Sequence, residues 1–185
     1  MTASIAQRDR DKREYIELVW TGPESRVIPV RQTEQVLLDL IQCARASLLV
    51  VSYAVYRIPR VRDALLDAIA RHVRVRIVLD ISDPNDIAGY NPLIAIGTDL
   101  VSRAEILYWP KDRRIPDGDG KRGSLHVKCL VADSQHLFIS SANLTDQALR
   151  LNMELGVVVT GRHYAHQIEE HFSELHANGN LMRYL

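Results

Sequence analysis

The residues best suited to chemistry lie between Leu125 and Asn143, in the segment LHVKCLVADSQHLFISSAN. His126 and Lys128 are two residues apart, and in a β-strand two such side chains project from the same face, roughly 6.5–7 Å apart. Ser141 and Asn143 have the same spacing just past the end of the next predicted strand. The segment therefore brings together an imidazole, an ammonium group and two neutral hydrogen-bond donors.

This set of groups suits displacement at the phosphorus of a phosphodiester. The single negative charge must be neutralised, and the reaction needs a nucleophile and a proton for the leaving oxygen. An imidazole nucleophile forms a covalent phosphohistidine, which divides one difficult step into two easier ones. Lys128 would supply positive charge, and Ser141 and Asn143 would donate hydrogen bonds to phosphate oxygens. The scheme requires no metal ion and no other cofactor.

Apolar periodicity predicts the elements that must position these residues. Strands are predicted at residues 15–20, 48–51, 73–79, 105–108, 125–131, 136–140 and 154–160. Helices are predicted to follow Thr33, which is placed as an N-cap, to begin at Pro59 and Pro92, and to span Ala165–Leu175. Strands that alternate with helices predict an α/β fold whose sheet is mainly parallel and covered on both faces.

Composition limits what the overall charge of the chain can attract. Of the 185 residues, 46% are hydrophobic and 25% are charged, as in ordinary globular domains. Lys plus Arg and Asp plus Glu both number 23, so any basic surface for nucleic acid must be local. We expect a polar extension over residues 1–14 and one domain over residues 15–185.

The sequence shows no sign of membrane insertion or secretion. Its apolar runs, such as Ser47–Tyr53, are too short to span a bilayer, and Met1–Glu14 is polar with mixed charge. Cys43 and Cys129 form neither a metal-type cluster nor a disulfide framework. We therefore expect a cytoplasmic protein that makes no membrane contact.

A long irregular stretch, Trp109–Ser124, directly precedes the segment that carries His126. It contains five basic residues: Lys111, Arg113, Arg114, Lys121 and Arg122. Loops of this length are usually functional or disordered. These charges are candidates for binding substrate phosphates and steering them toward His126. A solvated loop without that role is the alternative.

The spacing within the chemical segment resembles the H-x-K-x4-D-x6-G-S-x-N signature of the phospholipase D superfamily. The matching residues are His126, Lys128, Asp133, Ser141 and Asn143. Ser140 stands where the signature has glycine, which puts the local backbone geometry in question. The resemblance extends from about residue 15 onward. It implies a phospholipase D-like sandwich with a mixed, mainly parallel central sheet flanked by helices on both faces.

The resemblance also implies roles for single residues. His126 would be the nucleophile, and Glu154, 28 residues further on, would hydrogen-bond the imidazole nitrogen that does not attack phosphorus. That contact would fix the tautomer of the ring. Asp133 would be structural, and in its predicted turn we expect it to cap its own backbone. Asn143 has a second interpretation as the N-cap of a helix over residues 144–149.

The chain carries one copy of the signature, whereas the two-step reaction needs a second histidine to protonate the leaving oxygen. The nearest imitation of a second half-site, His72-x-Arg74, has arginine in place of lysine and no S-x-N after it. Superfamily members with duplicated motifs supply both histidines from one chain. We therefore expect a homodimer with a composite active site. A monomer whose acid is water is the alternative.

Other residues have competing interpretations. One set rich in histidine and glutamate lies on the predicted closing helix: His163, His166, Glu169, Glu170 and His171. A solvated polar face is favoured there over a metal site. Tyr53 and Tyr56 could line the mouth of the active site or pack in the interior. Val127 and Cys129 alternate with His126 and Lys128, so we expect them to face the core.

The expected function is that of a nuclease or related phosphodiesterase acting on nucleic acid. The segments LVWTGPE and SLLVVSYAVYRI add a narrower resemblance, to the phospholipase D-like component of the DISARM phage-defence system. It implies antiviral defence alongside other defence-system proteins. A phospholipase or phosphatidyltransferase is the enzymatic alternative and should carry a membrane-docking segment. A nucleic-acid-binding scaffold subunit with weak or no catalysis is the third hypothesis.

Overall fold

The computed structural model describes residues 14–23, 27–81 and 91–184. The predicted loop at Asp83–Asp86 and most of the predicted N-terminal extension lie outside these residues. Among the described helices, none combines the length and the apolar character needed to cross a bilayer.

The strands of the described chain form one large sheet and one small sheet. Their bounds are β1 (Tyr15–Thr21), β2 (Arg31–Gln32), β3 (Ser47–Ser52), β4 (Val55–Tyr56), β5 (Arg74–Leu79), β6 (Glu105–Tyr108), β7 (Cys129–Ala132), β8 (His136–Ser140), β9 (Leu144–Thr145), β10 (Glu154–Thr160) and β11 (Met182–Arg183). The large sheet has the order β11-β6-β5-β3-β7-β8-β10-β1-β2, and β4 pairs with β9 in the small one.

The helices lie on both faces of the large sheet. Their bounds are α1 (Thr33–Cys43), α2 (Pro59–Ala70), α3 (Pro92–Ile96), α4 (Thr98–Val101), α5 (Asp146–Arg150) and α6 (Arg162–Ala177), with a short 3-10 helix at Lys111–Arg113. Alternate residues of β3 enter two separate cores, because a strand directs successive side chains to opposite faces. Leu48 and Val50 pack with α1 and α2. Leu49 and Val51 pack on the other face with α6.

The expected α/β fold with a mixed sheet and helices on both faces is confirmed, but the parallel share of the sheet is smaller than predicted. Parallel pairing joins β3, β5 and β6, as well as β1 and β2. The other neighbours in the large sheet of the described chain are antiparallel. Only three residues separate β7 from β8, so these strands form a hairpin. A parallel connection needs a crossover of a dozen residues or more.

Two helix predictions need correction. The helix expected from Pro92 to Leu100 is divided into α3 and α4 by Gly97, whose φ of 93° lies outside the helical region. Thr33 is the first residue of α1 and is buried. The N-cap position belongs to Gln32, whose side chain makes no capping hydrogen bond.

The strand predicted at Leu125–Val131 begins only at Cys129, so His126 and Lys128 precede the sheet. The physical reason lies in its partner β3, which pairs Val51 with Cys129 and ends at Ser52. No strand partner remains on that side for the residues before Cys129. As a result Val127 is 45% exposed, and the prediction that it faces the core is wrong. Cys129 is buried as predicted, and burial raises the pKa of its thiol to about 12.

Candidate active site

The residues of the chemical segment meet at one edge of the large sheet. At this edge β3, β5 and β8 end, while β7 and β10 begin, as the pairings Ser52–Leu79, Val51–Cys129 and Ser140–Gly156 require. The loops next to these strand ends contribute His126, Lys128, Ser141 and Asn143. The first residue of β10, Glu154, lies at the same edge. The order and direction of the strands therefore bring these residues together, and neither can be predicted from a local sequence pattern.

His126 and Lys128 form the centre of this edge. The ammonium Nζ of Lys128 lies 3.0 Å from Nδ1 of His126 and donates to the His126 carbonyl oxygen at 2.8 Å. The imidazole is exposed, whereas only 9% of Lys128 is exposed. An accessible imidazole and a partly desolvated positive charge are thus held together, although neither residue lies within a strand.

Tyr53 is a member of this group that the sequence left undecided. Its ring centroid lies 4.9 Å from that of His126, with the planes tilted by 52°. The Lys128 ammonium lies 5.6 Å from the Tyr53 ring centroid, within the range of a cation–π contact. Because Tyr53 is also 38% exposed, it lines the mouth of the site as well as packing against it.

Opposing effects act on the pKa of Lys128. Burial lowers it, and the nearby carboxylate of Glu154 raises it by a smaller amount, so the net shift is downward. A partly buried ammonium acts on a phosphate in a medium of lower dielectric constant than water. Each unit of charge therefore stabilises a developing negative charge more strongly than an exposed lysine would.

Glu154 does not make the contact with the imidazole that the resemblance implied. Its carboxylate accepts hydrogen bonds from the Ser141 hydroxyl and from Nδ2 of Asn152, the latter at 3.1 Å. Lys128 occupies the position at Nδ1 of His126 instead. β8 lies between β7 and β10 in the sheet, so His126, which precedes β7, and Glu154, which begins β10, do not come from neighbouring strands.

Asn143 lies just before β9, beside the buried interior. Its side-chain Oδ1 is buried and has no hydrogen-bond partner within the described part of the chain. An unpaired buried polar group costs roughly 1–3 kcal/mol. Because Oδ1 only accepts, the partner that it lacks is a donor, whereas a phosphate oxygen would be bound by Nδ2 of the same amide. The N-cap interpretation is wrong, since Thr145 caps α5 by accepting from the Ala148 N–H at 3.2 Å.

Asp133 lies at the opposite end of β7 from the imidazole. Its carboxylate accepts the backbone N–H groups of Arg45, Ala46 and Ser47 at 2.7–2.9 Å. It therefore fixes the segment that leads into β3, and the prediction that it caps its own backbone is wrong. Asp133 and Ser134 both have φ above +50° in the tight turn, the left-handed region that aspartate tolerates better than most residues.

The basic loop divides into buried and exposed members. The side chain of Arg114 is only 5% exposed and forms an ion pair with Asp80 at 2.6 Å. The prediction that Arg114 binds a substrate phosphate is therefore wrong. Arg122 donates to the carbonyl oxygens of Lys111 and Arg114. Three exposed residues remain candidates for steering a phosphate: Lys111, Arg113 and Lys121.

Several polar side chains of α6 make contacts within the described part of the chain. Nε2 of His166 pairs with Glu170 one turn later at 3.2 Å, and Glu169 accepts from the hydroxyls of Ser47 and Ser134. Within residues 14–23, 27–81 and 91–184, no three histidine, cysteine or acidic side chains are arranged to hold a metal ion. Exposed positions on α6 include His163, Glu170 and His171, as a solvated polar face predicts, whereas Glu169 ties α6 to β3 and to the turn after β7.

The fold and the group of residues at the sheet edge define a phospholipase D-like domain. The family described as "Cardiolipin synthase, PLD-like domain" matches residues 37–176 of the chain. The chain belongs to this family. Family and fold together support an enzyme of the phosphodiesterase class.

Solved structures share the same fold. Nuc from Salmonella typhimurium, described as a phospholipase D family member, superposes with a TM-score of 0.66 at 20% identity, covering 93% of this chain and 99% of that one. NucT from Helicobacter pylori superposes with a TM-score of 0.74 at 15% identity, covering 93% and 100%. Phosphatidylserine synthase from Haemophilus influenzae gives a TM-score of 0.62 at 15% identity, covering 94% of this chain and 40% of that one.

Two curated relatives match by sequence. The DISARM protein DrmC of Bacillus paralicheniformis is 29% identical over 154 residues, which is 83% of this chain and 60% of that protein. Cardiolipin synthase A of Buchnera aphidicola is 23% identical over 167 residues, which is 90% of this chain and 32% of that protein. The chain therefore spans between about one third and three fifths of the length of these relatives.

Replacement of Asp133 tests its structural role. We expect Asp133→Asn to lower the free energy of unfolding by about 1–3 kcal/mol, because one or more of the three backbone N–H groups loses a charged acceptor. Those three hydrogen bonds outweigh burial and hold the pKa of Asp133 below its usual value of 3.8. The stabilisation should thus be complete above pH 3.8 and be lost as the pH falls through the lowered folded-state pKa.

Denaturant unfolding at neutral pH and at steps into the acid range measures this effect. The difference between wild type and Asp133→Asn should narrow in acid, while Asp63→Asn, at a carboxylate whose side chain is 68% exposed, should behave like wild type throughout. An Asp133→Asn protein with unchanged stability and lost activity would instead assign Asp133 to the chemistry.

Proposed function

We propose that this protein is a metal-independent phosphodiesterase that cleaves nucleic acid through a covalent phosphohistidine on His126. The observation that carries the proposal is the exposed imidazole of His126 with the partly buried Lys128 ammonium 3.0 Å from its Nδ1. An imidazole beside a fixed cation is the pair of groups that attack on a monoanionic phosphodiester requires. Nδ2 of Asn143, at the same sheet edge, is a further donor to phosphate oxygens, and the Ser141 hydroxyl would have to leave the Glu154 carboxylate to become another.

The ammonium has a different task before and after the substrate binds. In the free site it donates to Nδ1 of His126, which leaves the ring proton on Nε2. When a phosphodiester binds, the ammonium turns to the phosphate oxygens, and solvent takes the ring proton from Nε2 while giving another to Nδ1. Nε2 then attacks phosphorus as the bond to the leaving oxygen breaks, and a second imidazole gives that oxygen its proton.

The second half of the reaction reverses these roles. A water molecule, deprotonated by the second imidazole, attacks phosphorus as the bond from phosphorus to Nε2 breaks. His126 is restored, and the product phosphate monoester leaves. Each step thus uses two histidines, whereas one chain contributes His126 alone to this edge. We therefore propose a homodimer in which the His126 residues of two chains meet at one composite site.

An apolar sheet face supports this dimer. Cross-strand pairing places Leu18, Val157, Ile139 and Cys129 in one row across β1, β10, β8 and β7. Leu18 is 49% exposed and Ile139 is 45% exposed. Leu155, next but one to Val157 on the same face, is 56% exposed. Apolar patches of this kind mark interaction sites on soluble proteins, and in this one the exposed Ile139 pairs with Cys129, three residues from His126 in the chain.

Nucleic acid is the substrate that the mouth of the site favours. An exposed aromatic ring beside a phosphate site provides a stacking surface for a base, as in proteins that bind single strands. Tyr53 has this position, and exposed cations on the loop over residues 111–121 lie upstream of His126 in the chain. Two similar proteins bear the names Nuc and NucT. The similarity to DrmC supports a role in phage defence with partner proteins of that system.

Phospholipid chemistry is the second candidate function. Two of the similar proteins are named cardiolipin synthase A and phosphatidylserine synthase. The same His126 and Lys128 would act on either class. A nucleic-acid-binding scaffold with little turnover is the third candidate. Substrate assays decide among the three.

Substitutions at the centre of the site test the reaction. We expect His126→Ala to abolish turnover of a single-stranded oligonucleotide, because the nucleophile is removed. Lys128→Ala and Asn143→Ala should each reduce kcat by about 10²-fold, the usual cost of losing one donor to the transition state. Turnover by wild type should persist in excess EDTA. His163→Ala, at an exposed histidine of α6, is the matched control and should keep wild-type activity.

Trapping the intermediate completes this test. Wild-type protein denatured rapidly at alkaline pH, where a phosphohistidine is stable, should carry a labelled phosphoryl group on His126, and the His126→Ala protein should carry none. Full activity in the His126→Ala protein would disprove the mechanism. Complete loss in chelator that is restored by magnesium or zinc would do so as well.

Replacement of Tyr53 tests the substrate class. Base stacking is worth about 1–3 kcal/mol, so Tyr53→Leu should cleave a base-bearing oligonucleotide about 5- to 150-fold more slowly. Cleavage of an abasic oligonucleotide of equal length should change little. Tyr53→Phe keeps the ring and should behave like wild type. Equal losses on both substrates, or faster hydrolysis of phosphatidylglycerol vesicles than of any oligonucleotide, would contradict the proposed substrate.

A charge on the apolar face tests the dimer. Leu18→Glu would place two like charges in the proposed interface, so sedimentation equilibrium should show a shift from dimer to monomer with loss of activity. Ile94→Glu, at a residue of α3 that is 65% exposed, should leave both properties unchanged. A wild-type chain that is monomeric and fully active would refute the composite site.

A further inference from the structure

The backbone that carries His126 is not held by the sheet. β7 begins at Cys129, and both His126 and Val127 are exposed. A catalytic group must be held within about 0.5 Å of its working position to be effective. On the C-terminal side, the Lys128 carbonyl accepts from the Ser140 N–H at 3.2 Å. The anchor on the N-terminal side must come from outside the strand.

Asp80 provides that anchor. It follows the last residue of β5, a strand paired on both sides within the sheet. Its Oδ1 accepts the backbone N–H of Leu125, the residue directly before His126, at 3.3 Å. The Leu125 side chain is 8% exposed and packs in the core beneath α6. The residue before the nucleophile is therefore fixed by both its backbone and its side chain.

Arg114 holds Asp80 and closes the long loop. Its Nη2 donates to Asp80 at 2.6 Å and to the Trp109 carbonyl at 2.7 Å. Its Nη1 donates to the Gly123 carbonyl at 3.0 Å, and the guanidinium lies 5.2 Å from the Trp109 ring centroid. One side chain thus joins the start of the loop, its end and the sheet.

The chemistry of the pair requires arginine. The acceptors around Arg114 lie in several directions, and only a planar guanidinium presents enough fixed donors to reach them together. The two side chains are 5% and 8% exposed, so the pair is shielded from solvent and from screening by salt. Neither residue reaches the imidazole itself. Their effect on His126 passes through the backbone of residues 123–125.

We propose that the buried Asp80–Arg114 pair is a positioning device that fixes the backbone of Leu125 and so holds His126 in place for attack. The proposal rests on the function proposed above for His126. In this proposal the loop over residues 109–124 has a structural role, because hydrogen bonds from Arg114 join Trp109 and Gly123, near its two ends, to Asp80.

Arg114→Lys tests the device by keeping the charge and removing the planar fork. Hydrogen exchange should accelerate at least about tenfold in a peptide over residues 124–128, while exchange in β10 stays at the wild-type rate. On an oligonucleotide substrate, kcat should fall by about 10²-fold, the cost of a misplacement of about 1 Å, with KM within a few-fold of wild type. Arg62→Lys, in the more exposed pair of Arg62 with Asp99, is the control and should change neither property.

The exchange measurement does not depend on turnover. If wild type cleaves no phosphodiester, the proposed function fails, and the exchange at residues 124–128 still decides whether the pair anchors Leu125. Unchanged exchange there in Arg114→Lys would overturn the proposal. So would an equal increase throughout the sheet, which would show a general loss of stability. Should Arg114→Lys not fold, Asp80→Asn provides the same comparison with a weaker, uncharged acceptor.

Discussion

Several central strands stop at one edge of the large sheet, and the position of the candidate active site depends on this shared termination. β3 ends at Ser52, and its antiparallel neighbour β7 can begin only where pairing is available, at Cys129. The residues before Cys129 consequently leave the sheet and become accessible. His126 is exposed for this reason, while Lys128, one residue from the strand, stays largely buried. A longer pairing of β3 with β7 would have kept both residues within the ladder.

Charge is distributed around this edge so that the positive groups have different surroundings. Lys128 lies against Tyr53 and His126, and Glu154 partly offsets the effect of burial on its pKa. Arg114 is instead saturated by a carboxylate and backbone carbonyls away from the substrate side. An ammonium with unsatisfied donor capacity can turn to a phosphate, whereas a fully bonded guanidinium can only hold structure. Lys128 is therefore the cation that could bind a phosphate, and Arg114 is the cation that holds the surrounding backbone in place.

The proposed dimer would account both for a second imidazole at the site and for the exposed apolar face of the sheet. α6 packs over Val131, Leu137 and Val159, yet the continuation of the same face through Ile139 and Leu18 is exposed. A second copy would bury these residues and bring a second imidazole to the composite site. Apolar burial, at roughly 25 cal/mol per Å², would then favour the assembly in which the chemistry is possible. Association and catalysis would be coupled through one surface.

The sequence by itself determined the chemical groups, the α/β class and most strand positions, because signature spacing and apolar periodicity are local properties. It also indicated Asp133 as structural, though not which backbone it binds. Strand order and direction decided the rest. In the folded chain Glu154 contacts Ser141 and not the imidazole of His126, and Tyr53 lies beside that imidazole. Arg114, predicted to bind substrate, instead pairs with Asp80. These contacts join residues far apart in the chain, and their geometry follows from which strands are neighbours, so the tertiary structure alone could establish them.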